Sequence, residues 1–69
     1  MYKKLRRMRN EKKYTTQYMA DILGISKTYY SQLENNRRRL SYDMAIKIAE
    51  IFNVHPDHIF YKDHIDNNS

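Results

Sequence analysis

Residues 15–34 read TTQYMADILGISKTYYSQLE, and the fold turns on this stretch. Thr15 is an N-cap type, its hydroxyl suited to accept from the unsatisfied N–H groups that open a helix. Thr16, Met19, Ala20 and Leu23 follow at i, i+3, i+4 and i+7, which places them on one helix face. Gly24 comes next, where a helix ends in a left-handed conformation that a residue without Cβ adopts freely. Only Ile25 separates it from Ser26, a second N-cap, and the following helix runs from Lys27 to about Asn35 with Tyr30 and Leu33 inward. Two short helices are thus predicted to meet across one tight turn. Ala20 lets them cross closely, and Ile25 and Leu33 plug the interface beneath.

The flanks continue the pattern. Upstream, Tyr2, Leu5 and Met8 recur at three-residue spacing among Lys and Arg, a narrow apolar stripe on a basic helix over roughly 2–12. Downstream, Asn36 suits a left-handed helix end, and Arg37, Arg38 and Arg39 form a basic loop. Ser41 caps a fourth helix, where Ala45, Ile48, Ala49 and Phe52 make a regular stripe that Met44, Ile46 and Ile51 widen. Asn53 closes it. Pro56 suits the first turn of a short last helix, with Asp57 complementing its dipole. No run alternates with period two, and no hairpin signal appears. The expectation is an all-α fold, five short helices in one compact domain over 1–69, ordered about 2–60, with a polar, frayed tail over 61–69.

Composition narrows the function. The 69 residues contain no Cys and one Gly, so there is no disulfide, no thiolate metal site and no glycine-rich phosphate loop. No apolar run approaches the roughly 18 residues that span a bilayer. MYKKLRRMRN lacks the apolar middle of an export signal, so the expected location is the cytoplasm, for a chain complete from its start methionine. The net charge is +5, unevenly spread. Residues 1–39 hold eleven basic and three acidic groups, a net of +8, whereas residues 40–69 hold two and five, a net of −3. A basic half beside an acidic half suits a polyanion.

Helix, tight turn with Gly, helix is the layout of a DNA-binding helix-turn-helix, whose second helix is held outward for a major groove about 12 Å wide. The chain resembles the lambda-repressor-like Cro/cI (XRE) family over about residues 5–60. The likeness rests on Leu5, Met8 and Arg9, on Ala20, on Leu23-Gly24-Ile25-Ser26, on Ser31-Gln32-Leu33-Glu34-Asn35, and on Ala45 to Asn53-Val54. It implies base readers at Lys27, Thr28 and Gln32, with Tyr29 and Ser31 beside them. A helical wheel agrees: Thr28, Ser31, Gln32 and Asn35 point away from Tyr30 and Leu33, with Lys27 and Tyr29 on the flanks. Lys27 suits guanine, Gln32 adenine, and the Thr28 methyl a thymine methyl. Phosphate contacts are expected from Thr16, Gln17, Asn36, Arg37, Arg38 and Arg39. The resemblance also implies an ion pair between Arg9 and Glu34. Thr16 stands where the family usually has Gln, Lys13 where Gly often ends the first helix, and Leu40 where Pro is common.

His55, Asp57, His58 and His64 could hold a metal, but ordinary surface histidines account for them better. No nucleophile, base and orienting group assemble. We therefore expect no enzyme, no cofactor, no metal and no membrane role. The expected partner is a duplex DNA operator, read by a homodimer that acts as a repressor. Dimer contacts fall to Val54, Pro56, His58, Ile59 and Phe60, although Val54, Ile59 and Phe60 equally suit core closure; the sequence leaves both roles open. Rival readings are an antitoxin that masks a toxin protein and a controller of a restriction–modification system.

Overall fold

The chain opens on an uncapped helix and then repeats one device. In the computed structural model, which describes residues 2–60, the helices are α1 (Lys3–Glu11), α2 (Thr16–Leu23), α3 (Lys27–Glu34), α4 (Tyr42–Ile51) and α5 (Pro56–Ile59). No strand occurs among the described residues. The hydroxyls of Thr15, Ser26 and Ser41 accept from the backbone N–H of Tyr18, Tyr29 and Met44 at 3.0–3.1 Å, which satisfies one orphan donor at each helix start. Pro56 opens α5 at a position where its missing N–H costs nothing. α1 and α3 are slightly shorter than their periodicity suggested, because Lys12 and Asn35 serve as C-caps. The expected polar tail, with Tyr61 and His64, lies outside the described residues.

Four helices end the same way. Lys13, Gly24, Asn36 and Asn53 are left-handed, with φ of 61°, 72°, 59° and 58°. The next N–H in each case reaches back over the turn: Tyr14 to Arg9, Ile25 to Ala20, Arg37 to Gln32, and Val54 to Ala49, at 2.8–3.1 Å. Tyr14, Ile25 and Val54 then pack on the core, so three of these ends are fastened by an apolar side chain. The fourth is not. At α3 the corresponding residue is Arg37, which is exposed, so the chain leaves the core there and carries Arg37–Arg39 outward.

The core forms where the helix stripes converge. Leu5 of α1, Met19 and Ala20 of α2, Tyr30 and Leu33 of α3, and Ala45, Ile48 and Ala49 of α4 are buried. Each large apolar side chain withdrawn from water contributes about 1.5–3 kcal/mol before entropy is charged against it. α2 and α3 are the most closely packed pair, followed by α4 and α5. Leu40, which sequence reading left in the loop, is buried and draws the chain back to the core after the arginines. At the other end Phe60 is buried edge-on against Tyr2, ring centroids 5.1 Å apart at 86°. The Tyr2 N–H donates to the Glu34 carbonyl at 2.9 Å, tying the start of the chain to the end of α3.

Candidate nucleic-acid interface

α3 has two faces with different chemistry. Tyr30, Leu33 and Glu34 are buried, whereas Lys27 and Thr28 are exposed and Ser31, Gln32 and Asn35 half-exposed. The outward residues do not stand on a flat surface. Lys27, Thr28, Ser31, Gln32 and Asn35, together with Arg37 from the following loop, line an open depression of about 670 Å³. Four of the five expected base readers therefore share one concave, polar and cationic patch. Tyr29 does not line it. Its half-buried ring packs on the core and lines a separate depression of about 310 Å³ with Arg38 and Arg39. The Arg38 guanidinium carbon lies 5.4 Å from the Tyr29 ring centroid, within cation–π range.

The inward face is fixed by charge. The expected pair between Arg9 and Glu34 is present: Arg9 Nε donates to Glu34 Oε2 at 2.8 Å and Nη2 to Oε1 at 3.1 Å. This fork-to-carboxylate geometry adds direction as well as energy. Arg9 Nη1 also donates to the Tyr14 carbonyl at 2.8 Å, so the same side chain braces the α1–α2 corner. Two further partners were missed by sequence reading. The Tyr30 hydroxyl donates to Glu34 Oε2 at 2.9 Å, and Arg6 Nε to Oε1 at 3.3 Å. Arg6 Nη2 continues to Asn35 Oδ1 at 3.0 Å, while Asn35 Nδ2 donates to the Ser31 carbonyl at 2.9 Å. A signal for both existed. Arg6 precedes Arg9 by one helical turn, and Tyr30 precedes Glu34 by one, so each shares its neighbour's face.

Burial by itself would push the Glu34 carboxyl up. The hydrogen bonds from Arg9, Tyr30 and Arg6 and the charge of Arg9 outweigh it and hold the group below the usual glutamate value. Burial, and then the adjacent Glu34 charge, pushes the Tyr30 phenol up, so it remains a donor. Every buried side-chain polar atom among the described residues has a partner.

The remaining candidates fall into three groups. Thr16 is half-buried at the start of α2, and Gln17 is exposed with its amide donating to Asp21 Oδ1 at 2.8 Å. Asn36, Arg37, Arg38 and Arg39 are exposed along the loop after α3. Of the dimer candidates, Val54 and Pro56 are half-exposed and His58 is exposed. Ile59 and Phe60, by contrast, are 4% and 1% exposed and belong to the chain's own core. Of the two roles open to Ile59 and Phe60, the fold uses core closure.

The fold and the divided α3 define a helix-turn-helix domain, and comparison with known proteins places it further. A helix-turn-helix family profile matches residues 5–59, and the chain belongs to this family, of the Cro/cI type, whose members are DNA-binding transcription regulators. Over 56 residues the chain is 34% identical to the HTH-type transcriptional regulator AnsR of Bacillus subtilis (strain 168), covering 81% of this chain and 48% of that protein. Over 55 residues it is 38% identical to the uncharacterized HTH-type transcriptional regulator YqaE of the same organism, covering 80% and 47%. The chain spans about half the length of the curated relatives it matches. No solved structure matches it significantly. No helix among the described residues is long and apolar enough to cross a membrane.

Proposed function

We propose that the chain is a sequence-specific duplex-DNA-binding repressor that acts as a homodimer on a roughly palindromic operator. The observation that carries this reading is the division of α3. One face is pinned to α1 through Glu34, while the other presents Lys27, Thr28, Ser31 and Gln32 in one open depression. In this reading α3 enters the major groove. Lys27 donates to guanine O6 and N7, Gln32 pairs with the adenine edge, and the Thr28 methyl meets a thymine methyl. Thr16, Gln17, Asn36, Arg37, Arg38 and Arg39 hold the phosphates on either side, setting register without reading sequence. The second subunit joins through the outward surface of Val54, Pro56 and His58. The names of the two relatives, both called transcriptional regulators, support the regulatory part.

The test is selection of binding sites from a random duplex library at about physiological salt, where non-specific binding is weak. The expected product is a symmetric motif whose half-sites are about 34–36 Å apart centre to centre. A single unpaired half-site would remove the dimer, and the absence of any enriched motif would remove the sequence-specific reading. On the selected site, Lys27→Ala or Gln32→Ala should each cost about 1–3 kcal/mol and relax preference at one base pair. Equal losses on random DNA would exclude those two as readers.

A further inference from the structure

Tyr29 lies in the middle of the exposed stretch of α3, yet it faces a different way from its neighbours. The depression lined by Lys27, Thr28, Ser31 and Gln32 does not include it. Its ring is half-buried on the core and faces the Arg38 guanidinium at 5.4 Å, and Tyr29, Arg38 and Arg39 line their own depression. We propose that Tyr29 is a positioning residue for Arg38 and not a base reader: its ring holds the guanidinium in place for a phosphate beside the groove. The inference rests on the DNA-binding reading given above and assigns a separate job within that surface.

The argument is one of entropy and donors. Arg38 sits on the loop that leaves the core after Asn36, with no apolar anchor until Leu40. A long side chain on such a loop loses rotamer freedom when it grips an anion, and that loss weakens binding. A ring already under the guanidinium removes part of the loss in advance. Because the attraction is to the face of the ring, it leaves the planar N–H fork available to a phosphate oxygen. The ring is itself held by its packing on the core, so the platform is rigid. Phosphate contacts carry no sequence information, so Tyr29 should influence the strength of binding and not its base preference.

The experiment compares wild type with Tyr29→Leu, Tyr29→Phe, Arg38→Ala and the Tyr29→Leu/Arg38→Ala double variant. Leucine keeps apolar packing on the core while removing the π face, and thermal melting checks that each variant is folded. First, in the DNA-free protein, the Arg38 side-chain protons should show an upfield ring-current NMR shift that Tyr29→Phe retains and Tyr29→Leu abolishes. Absence of that shift in wild type overturns the proposal whatever the protein does to DNA. Second, Tyr29→Leu should weaken binding to the selected operator and to a random duplex alike, by about two- to fivefold, the range of an exposed cation–π contact. Tyr29→Phe should bind as wild type, and Tyr29→Leu should add nothing in the Arg38→Ala background. A changed base preference in Tyr29→Leu or Tyr29→Phe would make Tyr29 a reader and overturn the positioning role. An additive loss in the double variant would show that the ring acts independently of Arg38. Wild type that shows the ring-current shift but binds no duplex overturns the DNA-binding reading and the phosphate role with it, leaving the stack as a purely structural contact.

Discussion

Glu34 is held by three donors in a side chain only 2% exposed, and its ionisation is decided by competition between burial and those partners. The partners win, so the folded-state value lies below the ordinary 4.5. A depressed acid stabilises the fold fully above its unfolded value and loses that contribution as pH falls through the folded one. Chemical unfolding should therefore show stability declining below about pH 4.5 in wild type. Glu34→Gln should be less stable at neutral pH and show a shallower acid decline; an unchanged decline would assign it to other carboxylates. Arg9→Ala, which strands a buried carboxylate, should cost about 3–5 kcal/mol. Arg6→Ala should cost at most about 1 kcal/mol, since that side chain is 40% exposed to solvent screening. The pair between Arg9 and Glu34 was available from family likeness, not from spacing. Arg6 could be read as sharing a face with Arg9, one turn earlier, but its reach to Glu34 and Asn35 also depends on how α1 crosses the end of α3, which helix spacing alone does not fix.

The repeated helix ending makes the boundaries readable from single residues. Gly24, Asn36 and Asn53 each announce a left-handed position by their type, and Ser26 and Ser41 announce the next start. Lys13 occupies the same conformation with a Cβ, at φ 61°. Lys13→Gly should therefore raise stability by about 1 kcal/mol, roughly 4–8 °C in Tm for a domain of this size. Gly24→Ala should lower it by about 1–2 kcal/mol. No atom lies within 4 Å of the added methyl, so that cost is backbone strain alone. Calorimetry of the two variants checks both signs. If Gly24→Ala is neutral, the turn relaxes and the left-handed ending is not obligatory. Leu40 was harder to read because an isolated leucine after three arginines has no periodicity. Its burial follows from how the loop returns to the core ahead of α4, a tertiary fact.

Closure of the domain rests on Tyr2 and Phe60, which come from opposite ends of the described chain. Phe60→Ala should cost about 3–5 kcal/mol. Against the roughly 3–10 kcal/mol typical of a domain this small, that brings the fold close to melting. A variant that stayed folded and lost only the proposed self-association would return Phe60 to the dimer candidates. The uneven charge has its own readout. Each neutralised phosphate contributes about 0.9 to the slope of log affinity against log salt, so Arg37→Ala should reduce that slope by about one on any duplex. A slope that did not change would take Arg37 off the DNA backbone. The division of α3 has one more consequence. Its core-facing residues and its outward residues are different amino acids, so the outward set is able to change without disturbing packing. If the proposed readers do read bases, exchange of Lys27, Thr28, Ser31 and Gln32 for other polar residues would redirect the domain to a new operator at nearly constant folding stability, which would make this scaffold a starting point for evolving or engineering altered specificity.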